Sequence, residues 1–127
     1  MKKILIYTVF TMFLTSNTIA NDGNDLLKRC TYAAADDLPK NTTEFIGAAF
    51  CLGFIEGAVN GIQVAIAVNV EKKEDRPFCV PEGVTNSQKA KILVKYLNEN
   101  PKLLHKGRLY LTIKAFVEAY PCIEKSG

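Results

Sequence analysis

Four cysteines, Cys30, Cys51, Cys79 and Cys122, and a single histidine, His105, are the residues of this chain most suited to redox, metal or nucleophilic chemistry. Their spacing points away from all three. No two cysteines stand two to four residues apart, so neither a zinc motif nor a C-x-x-C redox pair can be written. An even number of separated cysteines in a short exported chain reads instead as two disulfides. His105 sits in Leu103-Leu104-His105-Lys106 with no nucleophile marked out beside it, whereas a triad depends on a positioned partner. It reads as a surface or helix-end residue. Glu56 could act as a catalytic carboxylate, because partial burial would raise its pKa. A hydrogen bond at a helix contact, or exposure beside Asn60 and Gln63, explains it more simply. No phosphate loop, metal motif or dinucleotide fingerprint occurs. The residues describe a non-enzymatic protein with no cofactor.

These residues must be positioned by helices. The stretch from Phe45 to Val68 carries one formal charge, Glu56, and four glycines, Gly47, Gly53, Gly57 and Gly61. At helical spacing Gly47, Cys51, Phe54, Ala58, Gly61 and Ala65 fall on one line, and Glu56, Asn60 and Gln63 lie opposite. The pattern predicts a central helix packed on most of its circumference. Each interior glycine costs such a helix about 1 kcal/mol relative to alanine. Close backbone approach to neighbouring helices is the expected compensation, so Gly57→Leu should overpack. The length also suits a membrane span, and Gly53-x3-Gly57-x3-Gly61 has small-residue spacing. Polar Glu56, Asn60 and Gln63 at mid-span, and a cysteine destined for a disulfide, argue for the buried helix.

Other helices flank this one. Asn24 can cap a first helix through Leu26, Leu27, Cys30, Ala33 and Ala34, stopped by Asp36-Asp37-Leu38-Pro39. Asn41 or Thr42 caps the central helix. Thr85 and Gln88 form a capping box, and the helix they start turns Ile92, Leu93, Tyr96 and Leu97 inward and Lys89, Lys91 and Lys95 outward. Asn100-Pro101 begins a short helical turn. A last helix, Leu109 to Ala119, places Leu109, Ile113 and Phe116 on one side, and Pro121 ends it. No stretch alternates with period two, so the fold class is all-α: four to five helices around the Gly-rich one.

The first twenty residues stand apart. Met1-Lys2-Lys3 is a short basic region, Ile4 to Leu14 an apolar run, and Thr18-Ile19-Ala20 a cleavage-like end. This is the pattern of a secretory signal peptide cut near Ala20, leaving one domain, residues 21–127. Without Lys2 and Lys3, 14 basic residues face 13 acidic ones, a net +1 that suggests no nucleic-acid partner. Cleavage would also leave no membrane segment.

An ordered set of landmarks carries more. Cys51-Leu52-Gly53-Phe54-Ile55-Glu56-Gly57 is followed by Phe78-Cys79-Val80-Pro81-Glu82-Gly83-Val84-Thr85, by Lys95-Tyr96-Leu97 with Asn100-Pro101, and by Ala119-Tyr120-Pro121-Cys122. This resembles the Rap/Tai family of periplasmic immunity proteins, which protect bacteria from type VI secretion amidase effectors. The likeness runs from about Cys51 to Cys122; Asn60 departs from it, where many relatives carry an acidic residue. It implies a small helical, disulfide-bonded homodimer in the periplasm that binds a secreted peptidoglycan amidase and occludes its cleft. The other class that fits is a periplasmic envelope-stress chaperone or similar non-catalytic binding protein.

Four cysteines allow three pairings; the sequential one, Cys30–Cys51 with Cys79–Cys122, is expected here. For the partner, two exposed elements could fill an enzyme cleft, the charged run after the central helix and the Asn98–Arg108 connection. The first is favoured: Glu71, Lys72, Lys73, Glu74, Asp75, Arg76 and Pro77, with Cys79 fixing one end. Charge is also uneven. Asp22, Asp25, Asp36, Asp37, Glu44 and Glu56 outnumber Lys28, Arg29 and Lys40, while Lys89, Lys91, Lys95, Lys102, Lys106, Arg108 and Lys114 face Glu99 alone. Such asymmetry can steer association.

Overall fold

The computed structural model describes residues 21–69, 72 and 75–122. The expected signal segment lies outside the described residues. Within them the chain forms α1 (Gly23–Ala34), α2 (Thr42–Asn69), α3 (Asn86–Glu99), a short 3-10 turn (Pro101–Leu103) and α4 (Arg108–Ala119), with no strand among the described residues. The all-α expectation holds.

Helix α1 packs against both α2 and α3, and α3 against α4. Their shared core contains Leu26, Ile55, Val59, Leu93, Leu97, Leu111 and Phe116. Burying a side chain of this size contributes roughly 1.5–3 kcal/mol. Both sequential disulfides form: Cys30–Cys51 ties α1 to α2, and Cys79–Cys122 ties the approach to α3 to the end of α4.

Local sequence fixes most helix ends. The Thr85 hydroxyl accepts from the Gln88 amide at 3.2 Å, and the Gln88 side chain accepts from the Thr85 amide at 2.8 Å. This is the expected capping box. Gly83 in the preceding turn has φ +83°, a conformation side-chain-bearing residues resist. Asn41 accepts from the Glu44 amide at 3.1 Å, and Glu44 in return accepts from the Lys40 amide at 2.8 Å. Pro101 opens the 3-10 turn as anticipated.

Four expectations need correction. The cap of α1 is Asp22 rather than Asn24: its carboxylate accepts from the amides of Asn24 and Asp25, at 3.0 and 3.1 Å. The next amide, of Gly23, donates instead to the carbonyls of Leu104 and Lys106. On α4 the inward side chains are Leu111, Thr112, Ala115 and Phe116, and Leu109 is half exposed. Thr112 can face the core because its hydroxyl donates to the Arg108 carbonyl at 2.8 Å. Lys89 on α3 is buried, not outward; its ammonium reaches Asn86 Oδ1 at 3.2 Å and Glu56 at 3.8 Å.

The fourth correction concerns α2, which is not enclosed on most sides. Only Gly47, Ala48, Cys51, Ile55 and Val59 are buried. Gly47 does make the expected close approach, since a Cβ there would lie 2.7 Å from the Tyr32 ring. Around Gly53, Gly57 and Gly61 nothing lies within 4 Å of where a Cβ would stand. Gly57→Leu therefore overpacks nothing inside the protomer. The helix is long and apolar enough to cross a membrane by length and composition. Yet the helix up to Val59 is bonded through Cys51 and packed through Ile55 and Val59 into the core, so this part belongs to the globular body.

Candidate partner-binding surface

The favoured loop follows α2. Lys72, Asp75, Arg76 and Pro77 fall within the described residues; Glu71, Lys73 and Glu74 lie outside them. The Asp75 amide donates to the Lys72 carbonyl at 3.2 Å, which closes a turn. Lys72, Asp75 and Pro77 are exposed, and Arg76 is partly buried, its Nε enclosed without a hydrogen-bond partner among the described residues. Beyond Pro77 the chain is anchored three ways. Phe78 is buried with its ring centroid 5.8 Å from that of Phe116, the Cys79 amide donates to the Tyr120 carbonyl at 2.8 Å, and Cys79 is bonded to Cys122. Pro77 thus leads into a segment held by Phe78 and by the Cys79–Cys122 bond.

The basic run from Lys89 to Lys114 does not make one free face. Lys89 is drawn inward toward Glu56, Lys91 pairs with Asp36, and Lys95 pairs with Glu99 at 2.9 Å. The Lys91 hydrogen bond holds the Asp36 carboxyl below its ordinary range. The hydrogen bond to Glu99 raises the Lys95 ammonium above its ordinary value. Glu56 is also lowered, chiefly by the hydrogen bond from Asn60 at 2.7 Å. A carboxyl so stabilised as the anion is a poor general acid at neutral pH. Lys102, Lys106 and Lys114 remain exposed with no ion-pair partner among the described residues. His105 is exposed, as expected.

Sequence reasoning missed one cluster. The Arg29 guanidinium lies 4.6 Å from the Phe50 ring centroid, and that of Arg108 lies 5.1 Å from Phe50 and 5.0 Å from Phe54. Phe50 and Phe54 are stacked, with centroids 6.1 Å apart. Arg29 is further held by Asp25 at 2.8 Å, so stacking and pairing leave its orientation well determined. The i, i+4 spacing of the two phenylalanines was the available signal; nothing in sequence linked them to arginines on two other helices. Arginine and aromatic side chains are enriched in protein interfaces.

Two grooves among the described residues are small. The groove lined by Asp25, Lys28, Arg29, Tyr32, Thr43, Ile46 and Gly47 holds about 200 Å³, and one between α3 and α4 about 210 Å³. Ligand pockets usually run from roughly 300 to 1,000 Å³. No cluster of metal-ligating side chains occurs among the described residues.

A family model described as Rap1a immunity proteins aligns with residues 22–122. No curated protein and no solved structure matches the chain.

Proposed function

The chain belongs to the Rap1a immunity proteins and so is an immunity protein for a secreted effector; we propose that this effector is a peptidoglycan amidase delivered by type VI secretion. The two disulfides and the family mark an exported protein. In our reading it is periplasmic after signal cleavage near Ala20, acts as a homodimer, and blocks the amidase by occupying its cleft. Members of such a family are generally non-catalytic.

The observation that carries the reading is the clamp behind the loop. Residues 71–77 lead directly into Phe78 and the Cys79–Cys122 bond. An inhibitory loop held at one end gives up less conformational entropy on binding than a free one. Lys102, Lys106 and Lys114 serve as a secondary contact that accelerates encounter.

The test is titration of the cognate amidase, identified as the product of an adjacent reading frame, against this protein. Inhibition should be stoichiometric and selective. Replacing residues 71–76 with a short Gly-Ser linker should abolish it while leaving the melting temperature nearly unchanged. Full inhibition by that variant sinks the loop assignment. A chaperone is the second reading, favoured by the exposure of Phe45, Ile46, Val64 and Val68. Protection of unrelated proteins from aggregation, without selective inhibition, would establish it instead.

A further inference from the structure

The exposed side of α2 has an order of its own. Taking Gly57 as centre, glycines stand four residues away on both sides, at Gly53 and Gly61. Bulky apolar residues stand seven away on both sides, at Phe50 and Val64, and eleven away on both sides, at Ile46 and Val68. Offsets of four, seven and eleven keep these positions on one helix face. The face is the solvent side: Ile46, Val64 and Val68 are 56%, 64% and 78% exposed, and the three glycines are open. Phe50 is partly buried beneath Arg29 and Arg108. The stripe contains no charge, and Glu56, Asn60 and Gln63 border it on one side.

A pattern that reads the same in both directions from its centre has a physical consequence. Two such helices laid antiparallel about a two-fold axis at Gly57 set glycine against glycine and bulky residue against bulky residue. Gly53 meets Gly61, Phe50 meets Val64, and Ile46 meets Val68, each contact made twice. This is the self-complementarity an isologous pair requires. The three glycines let the helix axes approach to or below the usual 8–10 Å. They also explain a cost the protomer leaves unbalanced, about 1 kcal/mol for each glycine in an exposed helix interior. From Ile46 to Val68 the stripe is about 33 Å long, and at a helix width of about 10–12 Å it covers roughly 350–400 Å². A standard interface takes about 800 Å² per partner. The stripe thus forms the centre of such a contact, with exposed Phe45 beside it.

We infer that the occupant of this face is a second copy of the chain, paired antiparallel through α2 with Gly57 on the two-fold axis. The inference rests on the two-copy assembly proposed above and assigns its face and register. Sedimentation of wild type and Gly57→Glu, together with disulfide mapping of an Ile46→Cys/Val68→Cys variant, tests it. In Gly57→Glu the new carboxylate meets no neighbour within the protomer but confronts its own copy at the axis. Its dimer dissociation constant should rise at least about a hundredfold, with helicity and melting of the monomer retained. Positions 46 and 68 are about 33 Å apart in one chain, so a 46–68 disulfide must join two chains. That cross-link is the expected product. Wild type that is monomeric throughout overturns both the assembly and the inference. A dimeric Gly57→Glu, or a 46–46 cross-link in place of 46–68, overturns the face or register and leaves the assembly standing. Loss of amidase binding by Gly57→Glu from a monomeric wild type gives the face to the effector.

Discussion

Along α2, Cys51, Ile55 and Val59 are buried against the neighbouring helices, whereas Gly53, Gly57 and Gly61, interleaved with them, have nothing near where a Cβ would stand. Both sets are apolar or small and both recur at helical spacing. They differ in what lies across from them. The first set is matched by Leu26 and Cys30 of α1 and by Leu93 and Leu97 of α3 within the same core; the second faces solvent. Hydrophobic periodicity therefore marks a face as apolar without stating what, if anything, covers it. A helix with two apolar sides and one polar edge is suited to join a fold on one side and a partner on the other.

Removing the staples should separate the two sides most sharply. In the chain-entropy description the Cys30–Cys51 bond, across a separation of 21 residues, contributes about 3 kcal/mol, and Cys79–Cys122, across 43, about 4 kcal/mol. Double alanine variants at each pair should lower stability by those amounts in urea titrations. Loss of the second pair should also weaken the proposed amidase inhibition beyond its effect on stability, if residues 71–77 are the inhibitory segment that Cys79 anchors. Equal inhibition by equally folded protein would detach the clamp from the function.

Next in size is a pair of truncations on opposite sides of α2. Ile55→Ala empties a fully buried site and should cost about 2–5 kcal/mol. Val64→Ala, at a mostly exposed site, should change the stability of the monomer by no more than about 0.5 kcal/mol. Comparable losses in dilute solution would mean that the second stripe is covered within the protomer.

Glycines give a smaller but opposite-signed contrast. Gly23 is buried, and a Cβ there would run into the Leu111 side chain and lie 2.9 Å from the Leu104 carbonyl oxygen. Gly23→Ala should therefore destabilise, by about 1–3 kcal/mol. Gly57→Ala meets open space and should stabilise the monomer by about 1 kcal/mol through helix propensity. Chemical denaturation of both variants at low protein concentration checks the sign.

What could be read in advance follows the same division. The capping box of Thr85 and Gln88, the proline at the 3-10 turn and the end of α1 before Asp36 were legible because each is decided within a few residues. Sequential disulfide pairing, expected from the cysteine order, is what forms: one bond joins α1 to α2 and the other ties the approach to α3 to the end of α4. The inward side of α4 was not, because Thr112 looks polar until its bond to the Arg108 carbonyl is seen. Lys89 misled for a similar reason: a lysine stem packs like an apolar one while its ammonium finds Asn86 and Glu56. The cap at Asp22 was hidden among Asp22, Asn24 and Asp25, all capable of capping. The docking of Gly23 onto the Leu104 and Lys106 carbonyls accompanies the choice of Asp22. Of the candidate surface, the anchor at Cys79 was visible in sequence, but the Arg29–Phe50–Arg108 cluster was not, since three separate helices assemble it.

The gentlest probe of the contrast is pH. Asp22 and Glu56 both have carboxyls held below their ordinary range, Asp22 chiefly by the backbone amide of Asp25 and Glu56 chiefly by Asn60. A carboxyl with a lower pKa in the folded state than in the unfolded state binds protons more readily when unfolded. Its stabilising contribution is complete above the unfolded value and is lost as pH falls through the folded one. Stability should therefore be flat across neutral pH and decline on the acid side of the ordinary carboxylate range. Asp22 caps the helix at the centre of the stapled core, whereas Glu56 borders the exposed stripe. Asp22→Asn should make the acid decline shallower while keeping the cap, because asparagine also accepts from the helix amides. Glu56→Gln should flatten the same limb and, if two copies pair through the stripe as proposed with its polar border at their contact, alter the pH dependence of that pairing as well. Melting curves across the acid range, run at low and at high protein concentration, separate the two effects. A Glu56→Gln variant whose acid limb is identical at both concentrations would place that border outside the contact.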